Sequence, residues 1–257
     1  LGQIRHEAGE DAALYETVQA VGLELCPALG VSIPVGKDSL SMRTQWTDNA
    51  GQAHKVVSPV SLIVTAFVSL DDVRATLTPQ LNRDVDSSLI LVDLARGQQR
   101  MGGSILAQVL GQSDVAVPDL DDAQDLKRLV DAVNDLRARG LILAYHDKSD
   151  GGLLATAAEM AFAGNVGVAL NVDALTLEGD GISDSRMDAG DAKNWASQVG
   201  PRRAEQTLKA LFNEELGALL QVRRSDRDQV LQLLRQHGLG ACSHVVGSTR
   251  PASSARV

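Results

Sequence analysis

From Ser87 to the C-terminus, apolar runs of strand length alternate with segments of helical period, and this alternation limits the fold more than any other feature of the chain. SSLILVDLA (Ser87 to Ala95) is continuously apolar, as a strand buried on both faces must be. A Gly-containing turn, RMGGSILAQVL, and a Pro/Asp loop follow it. Leu126, Leu129, Val130, Val133 and Leu136 then form an apolar stripe over a helix predicted from Asp122 to Arg139, with Gly140 at the position that ends it. LILAYH reads as a strand, GLLATAAEMAFAG as a helix and VGVALNV as a strand. Beyond a polar stretch from Glu178 to Gln198, a helix at Arg203 to Leu211 leads to strand ALLQVR, helix DRDQVLQLLRQHG and strand SHVVGS. A layered α/β unit accommodates this order.

The chain before Ser87 reads differently. Leu14, Val18, Val21 and Leu25 recur at helical spacing between Asp11 and Leu25, acidic residues lead that segment, and Pro27 and Gly30 mark its end. VSIPVGKDSLSM is a short β-type run that breaks into a polar turn, and VVSPVSLIVTAFVSL (Val56 to Leu70) is rich enough in β-branched residues to predict a long strand. The polar segment from Asp71 to Asp86 connects the two parts, so the expected units are 1–86 and 87–257. TRPASSARV at the end reads as a loose tail.

Composition removes several function classes. Seven aromatic side chains in 257 residues leave a core of Ala, Val and Leu, which suits helices on a sheet better than a β-sandwich. A net charge of −9 with no basic run argues against nucleic-acid binding. Cys26 and Cys242 stand far apart outside any CxxC pattern, as free thiols of a reducing compartment do. No apolar run approaches the roughly 20 residues that span a bilayer. The expectation is a soluble, cytoplasmic chain with no membrane partner.

Chemistry-bearing residues concentrate in AYHDKSDGGLL, between a predicted strand and a predicted helix. A helix start presents unpaired N–H groups and a partial positive charge, which suit a phosphate. Gly151 and Gly152 would let a bound group approach the backbone. Asp147 and Asp150 fit a phosphate only with a divalent cation between them, since Mg²⁺ takes a few carboxylates together with phosphate oxygens. The competing reading is that Asp150 or Ser149 simply caps the helix while the glycines make the turn. His146 by itself fits a structural histidine as well as a ligand. A second polar cluster, PVGKDSLSM, offers Lys37, Asp38, Ser39 and Ser41, but GxxxxGK[ST] is absent and a surface turn explains it equally well. There is no GxSxG, HExxH or GxGxxG. Cys242 and His244 would share a strand face, a weak pairing beside the simpler role of a small buried cysteine.

Four stretches in this order, ALYETVQAVGLELCPALGVSIPVGKDSLSM, LARGQQRMGGSILAQV, LAYHDKSDGGLLATAAEMAFAG and LFNEELGALLQVR, resemble the synthetase region of large-form phosphoribosylformylglycinamidine synthase (formylglycinamide ribonucleotide amidotransferase). The resemblance covers most of residues 10 to 247. It implies the aminoimidazole ribonucleotide synthetase-like α/β (α+β) fold: a partial N-terminal half, whose strands join a partner half in a barrel, and then a C-terminal domain built on a layered mixed sheet. The wider superfamily uses ATP. By resemblance, Asp147 helps hold Mg²⁺ at ATP or ADP, Ser149 touches the nucleotide with Gly151 and Gly152 beside it, and Lys37, Asp38 and Ser39 face the ribonucleotide substrate. Lys148 departs from the arginine more familiar at its position. No catalytic residue is assigned.

The implied reaction belongs to purine biosynthesis. ATP phosphorylates the amide oxygen of formylglycinamide ribonucleotide, and ammonia derived from glutamine attacks the activated carbon. The glutaminase domain is a partner expected outside this chain, since neither cysteine lies in a nucleophile turn. The family's Gly-rich nucleotide loop and further metal-binding acids are also absent, and the opening LGQIRHEAG does not fit the pattern. The fragment alone is therefore expected to be inactive, with self-association through its N-terminal strands. Two other readings stay open: a non-catalytic, structural nucleotide-binding module of that enzyme, or a sibling ATP-using synthetase.

Overall fold

The computed structural model describes residues 9–39, 42–112, 116–176 and 203–250, in two compact units that divide at Asp71 and Asp72. Ser41, the opening residues 1–8, the polar stretch 178–198 and the tail beyond Arg250 lie outside the described residues.

In the first unit, α1 (Glu10–Val18) runs through a π-helical stretch (Gln19–Leu25) into α2 (Cys26–Leu29). The helix thus continues past Pro27, whose missing N–H and ring crowding sit where the wider turns upstream relieve them. Gly30 ends it in the left-handed region (φ 73°), its N–H bonded to the carbonyls of Cys26 and Pro27. β1 (Arg43–Thr47) and β2 (Ala53–Val57) form an antiparallel hairpin with Trp46 opposite His54. Asp48 closes its turn by accepting from the amides of Ala50 and Gln52.

The long strand expected from Val56 to Leu70 is not formed. Strand pairing ends at Val57, and beyond it there is a single bridge at Ser61. A strand exists only through the ladder bonds of a neighbour, and Pro59 removes one donor from the run. Ile63, Phe67 and Val68 are 89, 92 and 82% exposed there, so β-branched composition alone did not recruit a partner.

The second unit is built on a five-stranded sheet of β3 (Ser87–Asp93), β4 (Ala144–Lys148), β5 (Gly167–Leu170), β6 (Gly217–Arg223) and β7 (Ser243–Arg250), in the order β4-β6-β3-β7-β5. All four pairings are antiparallel. In this order none of the five strands lies beside its neighbour in sequence. Seven consecutive residues of β3 are buried because both faces are covered. Ile90 and Val92 face one cluster with Leu220, Val222, α4 (Ala123–Ala138) and α8 (Arg227–Gln236). Leu89 and Leu91 face the other, with Leu219, Val246 and α5 (Gly152–Gly164). The period of two in β3 thus divides its side chains between two helical layers.

Asp122 caps α4 by accepting from the amide of Gln124, and Gly140 (φ 66°) follows its end. Within the predicted stripe Leu129 and Leu136 are buried, whereas Val130 is half exposed and Ala132 fills the core position instead. Short helices α3 (Ile105–Val109) and α6 (Asp173–Thr176), a helix over 203–212 (α7) and short 3₁₀ turns complete the unit. Cys242 is buried with its thiol donating to the Leu239 carbonyl, and burial pushes that thiol's pKa up, as befits a packing residue. No helix among the described residues is long and apolar enough to cross a membrane.

Candidate functional site

The strand before the charged turn begins and ends later than its apolar run predicts. LILAYH sets the strand at 141–146, whereas β4 spans Ala144–Lys148 and includes the Asp147–Lys148 pair. This shift decides which way each side chain points, because strand residues alternate between faces. The Asp147 side chain is 71% exposed and that of Lys148 is 1% exposed. Ser149 and Asp150 continue the turn in solvent.

Neither Ser149 nor Asp150 caps α5. Gly151 is the N-cap residue, in the left-handed region at φ 82°, and no side chain caps the helix from that position. The turn closes through the Gly152 amide onto the Ser149 carbonyl at 2.9 Å. The simpler reading of these two polar residues as a helix cap is therefore overturned, and their side chains have no hydrogen-bond partner among the described residues. His146 bridges two carboxylates, with Nε2 2.8 Å from Glu159 and Nδ1 3.5 Å from Asp147.

The two glycines are used differently. A Cβ on Gly152 would lie 2.6 Å from the Asn213 carbonyl oxygen and 2.8 Å from that of Leu211, so it is the chain itself that approaches this backbone. Both have positive φ, which side chains rarely tolerate, but a Cβ on Gly151 would meet only a side chain, the Ala155 Cβ at 2.6 Å.

Beneath the turn lies a buried ionic layer that the motif reading missed. Lys148 Nζ donates to Asn213 Oδ1 at 2.7 Å and to Asp93 Oδ1 at 3.3 Å. Burial lowers the Lys148 pKa below the ordinary lysine value, and the Asp93 charge opposes that shift. Glu215, fully buried, takes two bonds from the Arg100 guanidinium at 2.6 and 2.8 Å and one from the Arg100 amide at 2.9 Å. Arg100 also reaches Asp121, and the two carboxylates hold its pKa well above the usual arginine value. Glu214 accepts from the amides of Ile105 and Gly151. Asn213, Glu214 and Glu215, consecutive in LFNEELG, thus tie the RMGG turn to the HDKSDGG turn. The signal was present in the sequence: three polar residues between a helix and an apolar strand must be satisfied inside the fold.

Lys37, Asp38 and Ser39 lie together in the first unit, the first two exposed and Ser39 half-buried, with Lys37 Nζ donating to Ser39 Oγ at 2.6 Å and to the Asp38 carbonyl at 3.3 Å. Asp147, Ser149, Gly151 and Gly152 lie together in the second. Among the described residues no group of three or more His, Cys, Asp or Glu side chains is arranged to hold a metal ion. Asp147 is one exposed carboxylate, which fits a Mg²⁺ whose remaining ligands are phosphate oxygens and water.

The second unit is thus a two-sided antiparallel sheet whose strand-to-helix turn is clasped by Asn213, Glu214 and Glu215. The family model described as "AIR synthase related protein, C-terminal domain" matches residues 85–257, and one described as "FGAR-AT PurM_N-like domain" matches residues 3–69. The chain belongs to this AIR synthase-like superfamily, to which PurL is a structural relative. PurLQS from Thermotoga maritima matches at 13% identity with a TM-score of 0.53, over 97% of this chain and 33% of that one. T. maritima PurL complexed with ATP matches at 13% identity and TM-score 0.52, over 96% of this chain and 32% of that one. E. coli HypE, a hydrogenase maturation protein, matches at 17% identity and TM-score 0.52, over 96% of this chain and 65% of that one. These likenesses share the fold, and the chain spans about a third of the PurL chains it matches.

Proposed function

We propose that this chain is part of an ATP-dependent carbon–nitrogen ligase that converts formylglycinamide ribonucleotide to formylglycinamidine ribonucleotide, with ammonia supplied by a separate glutaminase. One observation carries the reading: Asp147 and Ser149 stand in solvent at the end of a rigid strand, and neither the core nor the helix cap uses them. A residue pair held outward on a fixed element, beside a helix start, is placed for a ligand rather than for packing. The match of residues 3–69 to an FGAR-AT domain model, and the T. maritima PurL structures complexed with ATP and with FGAR, support the substrate class.

In this reading Asp147 would hold a Mg²⁺ together with nucleotide phosphate oxygens and water. The Ser149 hydroxyl hydrogen-bonds a phosphate or the ribose. When bound, the metal would screen phosphate charge during phosphoryl transfer. Lys37 and Ser39 offer a point charge and a hydroxyl to the ribonucleotide phosphate. Lys148 and Asp93 stay below the turn and hold β4 in register.

Calorimetry with MgADP tests the nucleotide site. Asp147→Asn is expected to weaken binding at least about tenfold, equivalent to 1.4 kcal/mol, whereas Asp131→Asn, an exposed carboxylate outside the turn, is expected to leave it unchanged. Equal effects would reject the assignment. Supplying the other synthetase domains and a glutaminase in trans should give ATP turnover that depends on formylglycinamide ribonucleotide. A structural nucleotide module is the second reading, favoured by a turn whose exposed carboxylates, Asp147 and Asp150, belong to no three-ligand metal group among the described residues. It predicts that Asp147→Ala abolishes binding here yet leaves that turnover intact.

A further inference from the structure

The start of α5 is where an incoming anion would find free amides, and the chain has placed a carboxylate there. Glu214 Oε1 accepts from the Gly151 amide at 2.8 Å and from the Ile105 amide at 2.9 Å. Gly151 is the N-cap of the thirteen-residue α5, and Ile105 is the first residue of α3. One oxygen therefore satisfies donors at two helix starts, where the backbone dipoles favour negative charge. The carboxylate is not a loose arm. Its neighbours in sequence are both fixed from below, Asn213 by Lys148 and Glu215 by Arg100. The position an uncomplexed phosphate would take at Gly151 is thus filled by an internal anion, and any phosphate brought beside it meets like charge.

We infer that Glu214 is a specificity-determining residue that keeps free phosphate groups off the amides of α5 and makes phosphate binding at this turn depend on a divalent cation. Asp147, exposed on the neighbouring strand end, is the carboxylate through which the cation would bring a nucleotide in, and this half of the inference rests on the nucleotide reading above. A phosphate arriving with its charge neutralised by Mg²⁺ has no need of the Gly151 N–H. The bond between Gly151 and Glu214 stays closed as the ligand binds on the Asp147 side.

The test uses the full chain, with backbone amide NMR read at Gly151 and Ile105. Inorganic phosphate in EDTA should leave both resonances of the wild-type chain unmoved. Glu214→Gln keeps a carbonyl oxygen for both amides and removes the charge, and it should show phosphate-dependent shifts at both, with at least about tenfold tighter apparent binding than wild type. A wild-type Gly151 resonance that moves with phosphate alone overturns the inference, and so does a folded Glu214→Gln chain as unresponsive as wild type. If Glu214→Gln does not fold, the wild-type titration still decides. Should phosphate bind only Glu214→Gln while MgADP binds neither chain, anion exclusion by Glu214 is upheld and the nucleotide reading fails.

Discussion

The Lys148 ammonium reaches the Asp93 carboxylate at 3.3 Å across a strand that has no side chain between them. Lys148 on β4 and Asp93 on β3 are both in register with Gly217 on the intervening β6. Side chains in register on alternate strands point to the same face. At most residues the middle side chain would hold such a pair apart. Gly217 leaves the space open, and a Cβ there would press into the Val92 carbonyl oxygen.

That arrangement predicts a graded loss of stability. Gly217→Ala should cost about 1–3 kcal/mol by overpacking. Lys148→Met should cost about 3–5 kcal/mol, because it leaves Asp93 buried without its counter-charge. Urea unfolding followed by circular dichroism measures both. The double variant Lys148→Met/Asp93→Asn should unfold at a higher urea concentration than Lys148→Met alone.

Two glycines with positive φ separate backbone strain from lack of room. Gly152 (φ 67°) lies against the backbone of 211–213, whereas Gly103 (φ 72°) has nothing within 4 Å of its missing Cβ. Alanine at Gly103 should cost about 1 kcal/mol, the conformational penalty alone. Alanine at Gly152 should cost at least about 2 kcal/mol more. Thermal melts of the two single variants give the comparison directly.

Ser149→Ala and Asp147→Asn are expected to change stability by no more than about 0.5 kcal/mol, since both residues are exposed and the 3.5 Å contact between Asp147 and His146 lies at the surface. Both should still weaken MgADP binding. A chain destabilised by either change would place these residues in the fold rather than in the site, and melting curves recorded beside the calorimetry distinguish the two.

Acid should act on the hairpin of the first unit in a defined direction. Asp48 has its carboxyl pKa held below the ordinary aspartate range, first by His54 and then by the amides of Gln52 and Ala50. The folded hairpin therefore binds that proton less readily than the unfolded chain. Its stabilising effect is present above the unfolded value of about 3.9 and is lost as pH falls through the lower folded value. Asp48→Asn should loosen the Trp46–His54 pair, whose rings stack with centroids 5.2 Å apart, near neutral pH and match wild type in acid, read from the Trp46 indole resonance.

The exposed run beyond β2 predicts self-association. Ile63 and Phe67 stand 89 and 92% exposed in a segment with almost no strand partner. Light scattering across a concentration series should show association that Ile63→Asp/Phe67→Asp abolishes while far-ultraviolet circular dichroism is unchanged.

The sequence by itself determined the order of elements in the second unit, the helix over Ala123–Ala138 and the family. Local period and end signals are carried within a dozen residues, and LFNEELG, GKDS and HDKSDGG keep their order however the chain packs. Four things needed the tertiary structure. Strand direction was one, because alternating strands and helices do not say which strand lies beside which, and here every pairing is antiparallel. The fate of Val56 to Leu70 was another, since β-branched residues form a strand only when a neighbour supplies the ladder. The facing of Asp147 and Lys148 was a third: a two-residue shift in the end of β4 sends one side chain to solvent and the other into the core. Last, the partners of Asn213, Glu214 and Glu215 come from residues tens of positions away in the chain. Burial forces polar groups such as Asn213 and Glu215 to find a partner, and which partner lies within 3 Å is decided only when the strands and turns close on one another.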